Sequence, residues 1–156
     1  MKRNSGQATG LLVLLGLPVL ALVVPGAQAL DRPGTIQVTN REIRHAHVDL
    51  GADGTSVGDI DVYTSLIYNK RITPHAIGRE TMMCTSVGAS SQNCSATIIL
   101  PKGQIVAEGL IGTRLIYQLA VVGGTGLYNN VKGAVTITSL QRKRPVRELL
   151  VFRLVI

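Results

Sequence analysis

From Thr35 onward the chain is written in short runs in which apolar and polar residues alternate with period 2, each run ended by Gly, Pro, Asn or Asp. No stretch with helical period survives its own glycines and β-branched residues. The first run, Thr35 to Leu50, changes phase, with Ile36 and Val38 in one register and Ile43, His45 and His47 in the other, which predicts a β-bulge near Asn40 to Glu42. Gly51 to Gly54 is a turn. In Ile60 to Tyr68, one face carries Ile60, Val62, Thr64, Leu66 and Tyr68 and the other Asp61, Tyr63, Ser65 and Ile67. A longer connection through Pro74 and His75 leads to strands over Arg79 to Ser86, Cys94 to Leu100, Gln104 to Ile111, Thr113 to Val122, Val131 to Leu140 and Arg147 to Ile156.

Eight strands joined mainly by short turns predict an all-β domain, and an eight-stranded antiparallel β-barrel is the simplest closure because it removes both sheet edges. The stretch Ala120-Val-Val-Gly-Gly-Thr-Gly-Leu-Tyr128 and on to Gly133 is the sharpest local signal. It lacks the Gly-Lys-Ser/Thr ending of a phosphate loop and the glycine spacing of a dinucleotide fingerprint. It reads as a strand breaking into an ordered turn over the barrel rim, with Leu127 and Tyr128 packing back onto the barrel.

Composition changes the picture at the N-terminus. Lys2 and Arg3, the fourteen-residue apolar run Leu11 to Val24, and Ala27-Gln28-Ala29 have the order of a secretory signal peptide. The run is shorter than the roughly 18 residues of a membrane-spanning helix. Residues 1-29 are thus expected to be removed after Ala29, leaving 30-156 as a single β-barrel domain that is secreted or periplasmic and meets a membrane only during export. Two cysteines in an exported chain point to a disulfide. Cys84 and Cys94 flank a Ser/Gly/Asn-rich segment, and they can bridge if their strands pair with the two cysteines opposite each other.

The whole chain has a formal net charge of +7, and Arg142, Lys143, Arg144 and Arg147 cluster around Pro145. Their place between two strands, without interleaved aromatics, makes them solvated turn residues and argues against a nucleic-acid partner. The final segment of the last strand, Leu149 to Ile156, apolar on both faces apart from Arg153, predicts a homo-oligomer, a trimer or dimer.

Gly58-Asp59, Ile77-Gly78, Cys84, Leu100-Pro-Lys-Gly-Gln-Ile105, Glu108-Gly109 and the glycine stretch together resemble the allene oxide cyclase and dirigent superfamily, most nearly its bacterial barrel-like members. The resemblance runs from about residue 35 to the end. It implies an eight-stranded antiparallel barrel with a mainly apolar central cavity, often assembled as a trimer. It also implies an activity exerted by shape, in which a dry cavity holds a small hydrophobic molecule in one conformer while it cyclises or couples, without a cofactor. Cys84 stands in the place of a cavity cysteine of the plant cyclases. Ser65 stands where those enzymes have asparagine, and their first-strand glutamate falls near Val38, with Glu42 the nearest acid, so allene oxide cyclase activity is not transferred.

Glu80 and Glu108 are carboxylates set among apolar strand neighbours, and either would suit proton transfer if it points inward, because burial raises a carboxyl pKa. Pointing outward, they are ordinary surface charges. Tyr63, Tyr68 and Tyr117, with Ser65, are the candidate ligand contacts from an apolar wall. His45 and His47 share a strand face but have no third ligand in sequence, and no metal site is expected. Three functions stay open: a cyclase or stereochemical guide, a non-catalytic carrier, and a structural barrel filled by its own side chains.

Overall fold

Alternation of inward apolar and outward polar side chains produces eight strands in the computed structural model, which describes residues 34–51, 53–69, 73–112 and 114–155. The strands are β1 (Gly34–Val48), β2 (Ile60–Tyr68), β3 (Gly78–Gly88), β4 (Ser91–Leu100), β5 (Gly103–Gly112), β6 (Ile116–Gly124), β7 (Lys132–Gln141) and β8 (Arg147–Val155). They close in sequence order into one antiparallel barrel, β8 pairing back onto β1. The signal-peptide reading falls on residues outside those described, as does Thr113 at the expected start of the sixth strand.

The interior is filled unequally along its axis. At the end that holds the β4–β5 turn and the glycine stretch between β6 and β7, Ile67, Ile98, Ile105, Val131, Val135 and Phe152 are all essentially inaccessible to solvent. Toward the other end the inward positions become polar: Asn40 on β1, Asp61 and Ser65 on β2, Glu80 and Ser86 on β3 are buried. Cys84 and Cys94 are opposite each other across β3 and β4, bonded, and buried inside the barrel.

The register of β1 against β2 shifts between Glu42 and Arg44. Ile43 is the extra residue and is 48% exposed, so it does not share the inward phase of His45 that alternation assigns to it. A bulge reverses which face successive side chains take. It lets Glu42, before the break, and His45, after it, both address the polar end of the barrel.

The glycine stretch closes the opposite end. Gly124 finishes β6, and a 3-10 turn, Gly126–Tyr128, carries the chain over the rim. A Cβ on Gly126 would lie 2.4 Å from the Lys102 carbonyl oxygen, and its φ is 62°. Tyr128 packs against the core as expected, but Leu127 is 58% exposed because the tight turn directs it outward. Gly126→Ala is therefore expected to destabilise by about 1–3 kcal/mol, seen as a fall in Tm. Gly123→Ala, whose Cβ would meet nothing within 4 Å, is expected to be close to neutral.

Candidate functional site

At the polar end of the barrel a pocket of about 180 Å³ is lined by Asn40, Glu42, Tyr63, Ser65, Glu80, Met82, Ile111, Tyr117, Val146 and Glu148. Six of the eight strands and the turn before β8 contribute to it. A cavity of about 150 Å³ holds a benzene-sized guest, so this one encloses a single ring, and a second fused ring must project toward the mouth.

Its chemistry is set by two carboxyl groups joined through one amide. Asn40 Nδ2 donates to Glu80 Oε2 at 2.7 Å and to Glu148 Oε2 at 3.0 Å. Asn40 Oδ1 accepts from the Glu148 backbone N–H at 2.9 Å, which fixes the amide's orientation. The arrangement follows from closure of the barrel, because Asn40 and Glu148 are direct partners between β1 and β8. Tyr117 Oη donates to Glu148 Oε1 at 3.2 Å.

Burial pushes Glu80 up to about 7, against the bond from Asn40, with the charge of Glu148 adding to the rise. Glu148 is also raised, again chiefly by burial, while the bonds from Asn40 and Tyr117 oppose the shift. Among the described residues Glu148 thus collects two side-chain donors and Glu80 one. Carboxyl groups in contrasting surroundings divide into acid and base, and here Glu80 is the group that takes the proton while Glu148 is the better-stabilised carboxylate. Burial raises Tyr63 to about 12 and drives Tyr117 further up, its neighbouring carboxylates adding to the effect, so both keep their phenolic protons.

A second cluster adjoins the pocket behind Tyr63. Asp61 Oδ1 is 2.8 Å from His45 Nε2 and 2.9 Å from His47 Nδ1, and Asp61 Oδ2 accepts from Gln92 Nε2 at 2.8 Å. Burial opposes ionisation of Asp61, but the bonds from His45, His47 and Gln92 prevail and hold it below the ordinary carboxylate range. His47 is raised, mainly by its bond to Asp61. The His45 ring stacks on Tyr63, with centroids 4.6 Å apart and planes 3° from parallel.

Of the residues expected from sequence, Glu80, Tyr63, Ser65 and Tyr117 line the pocket together. Glu108 does not join them; it faces outward from β5, exposed, and accepts from Ser95 Oγ at 3.3 Å. Tyr68 is buried but lies outside the pocket, on the opposite phase of β2, with the Arg41 guanidinium 5.5 Å from its ring centroid. Cys84 is consumed in the bridge to Cys94. Asn40 and Glu148 went unnoticed in the sequence. The available signal was the lone acid of the last strand, Glu148.

No protein-family model matches the chain, and no curated protein sequence matches it significantly. Solved structures do. A pyocyanin demethylase superposes with a TM-score of 0.65 at 26% identity, over 78% of this chain and 99% of its own. A pterocarpan synthase dirigent protein gives 0.64 at 13% identity over 81% and 95%. A Diels-Alderase from Streptomyces koyangensis gives 0.58 at 16% identity over 89% and 82%. What these proteins share with the present chain is the barrel. No membership of the allene oxide cyclase family in particular follows from them.

Proposed function

We propose that this protein is an exported, cofactor-independent barrel that admits a small, mainly apolar ring system into its polar end and guides its rearrangement or ring closure by proton transfer at Glu80 and Glu148. The observation that carries this reading is the Asn40 amide holding both carboxyl groups at the wall of one pocket. A barrel filled throughout by its own side chains has no use for buried carboxyl groups, whose desolvation is costly. The fold likeness to a pyocyanin demethylase, to a dirigent protein and to a Diels-Alderase supports a reaction guided by the barrel interior.

The lining also selects for charge. Glu42, Glu80 and Glu148 face the pocket, and no Lys or Arg is among its lining residues. Aromatic walls from Tyr63 and Tyr117 add a face for a flat ring. A series of two-ring probes of nearly equal size tests this: N-methylquinolinium, quinoline and 1-naphthoate, titrated by calorimetry at about pH 8. The cation is expected to bind at least tenfold tighter than the anion, since one close charge contact exceeds 1.4 kcal/mol at intermediate dielectric. Equal affinity for naphthoate, or failure of all three to bind, would count against the site.

A further inference from the structure

Arg142, Lys143 and Arg144 are exposed on the turn between β7 and β8, as composition predicts, whereas Arg147 belongs to β8 and its Nε is buried; the turn is also tied to the pocket mouth. Gln141 Nε2 donates to the carbonyls of Lys143 and Pro145 at 3.0 and 3.2 Å, giving the turn a fixed shape. The Glu42 backbone N–H donates to the Val146 carbonyl at 2.9 Å, and Val146 is itself part of the pocket wall. Arg144 completes the attachment. Its Nε lies 3.5 Å from Glu42 Oε1, and its Nη2 donates to His45 Nδ1.

That last contact constrains the histidine. To accept from a guanidinium, Nδ1 must carry no proton, so the ring must be neutral with its hydrogen on Nε2. Asp61 enforces that tautomer by taking the Nε2–H, and Tyr63 holds the ring flat from the pocket side. We propose that Arg144 latches the β7–β8 turn over the mouth of the pocket, and that His45, oriented by Asp61, is the acid-labile half of the latch. The inference rests on the reading of the pocket as a ligand site, since only then does its mouth matter.

Protonation of His45 places an N–H against the guanidinium and converts an acceptor contact into a repulsion between two cations. The ionisable groups facing His45 among the described residues are Asp61 and Tyr63 on β2, Glu42, Arg44 and His47 on β1, and Arg144 on the turn. Asp61 stabilises one added positive charge, but His47 bonds the same oxygen and competes for it. With neutral imidazole the latch is shut; with imidazolium it opens.

The Glu42 amide reports the docked turn directly, because its hydrogen bond ends on Val146. Amide exchange at Glu42, measured by NMR without ligand and corrected for intrinsic rates, should show roughly tenfold less protection at about pH 5 than at about pH 8, the worth of one hydrogen bond to a charged group. Arg144→Gln should show the low protection already at pH 8. His45→Asn keeps an acceptor near the Nδ1 position and cannot titrate, so its protection should not fall with pH. Equal protection at both pH values in the wild type, no effect of Arg144→Gln, or an acid-dependent loss surviving in His45→Asn would overturn the latch. Association of N-methylquinolinium, followed at pH 8, should be faster in Arg144→Gln than in the wild type. An unchanged association rate would remove the turn from control of the mouth. Acid-dependent exchange with no probe binding at all would leave the moving turn in place and refute the pocket's function instead.

Discussion

Glu80→Gln is expected to abolish most proton-transfer chemistry in the pocket while leaving the barrel folded. The probe suited to the cavity is 5-nitrobenzisoxazole, a two-ring molecule that opens when a base removes its ring proton, and a desolvated carboxylate is a strong base toward it. In the wild type, kcat/KM for this elimination should rise with pH through about 7, the value to which burial lifts Glu80. Glu80→Gln should lower it by roughly 10²- to 10⁴-fold, the usual contribution of one positioned acid or base. An unchanged rate in the variant, or a wild-type profile flat through pH 7, would remove Glu80 from the chemistry.

The same substitution carries a signature in stability. Glu80 has a folded-state value of about 7 against an ordinary 4.5, so the folded protein holds this proton more tightly than the unfolded chain does. Stability is then greatest below about pH 4.5 as far as this group is concerned, and falls as pH rises toward 7. The loss is on the order of 3 kcal/mol once Glu80 is ionised. Glu148, raised in the same direction, adds to the trend. Denaturant titrations of Glu80→Gln across that range should show a flatter dependence on pH than the wild type. A variant that tracks the wild type throughout would mean that Glu80 is not desolvated.

Removing the Cys84–Cys94 bridge is the second large effect expected. The bond joins directly opposed residues of β3 and β4, ten positions apart in sequence, inside the barrel wall. Replacing both cysteines by alanine releases the loop in the unfolded chain and leaves a void in the core. The expected cost is about 2–4 kcal/mol, which for a domain of this size lowers Tm by roughly 10 °C. The denatured, unreduced wild type should show no reactive thiol. A double variant as stable as the wild type would contradict this account. Asp61 is the β2 partner of Cys84, so loosening of the bridge should also be felt at the His45 cluster.

Much of the fold was legible in the sequence because most strands alternate and the turns are marked by their own residues. The cysteine pairing was legible for the same reason, since it needed only a local hairpin register. The site was less legible. Glu80 and Glu108 both sit among apolar neighbours, and alternation alone does not separate them, because Val106 and Leu110 face out of β5 while Ile105 and Ala107 face in. Tyr63 and Tyr68 differ by an odd number of positions, so one β2 face could not hold both. Asn40 and Glu148 are 108 residues apart and meet through the β1–β8 closure. Local pattern carries no information about that register. Arg144 was read as a solvated charge, which its exposure bears out, but its attachment to Glu42 and His45 depends on how the bulge in β1 turns both toward the mouth.

The unequal filling of the barrel has a kinetic consequence. Phe152, Ile67, Ile98 and Ile105 occupy the axis on one side of the pocket, and the glycine turn roofs that end. Among the described residues that end is filled, so a molecule held in the pocket enters and leaves at the polar end. A departing molecule and an arriving one cannot pass each other. Under the proposed function, turnover would be paced by how promptly the pocket empties, and the mouth next to Val146 would govern departure as much as admission.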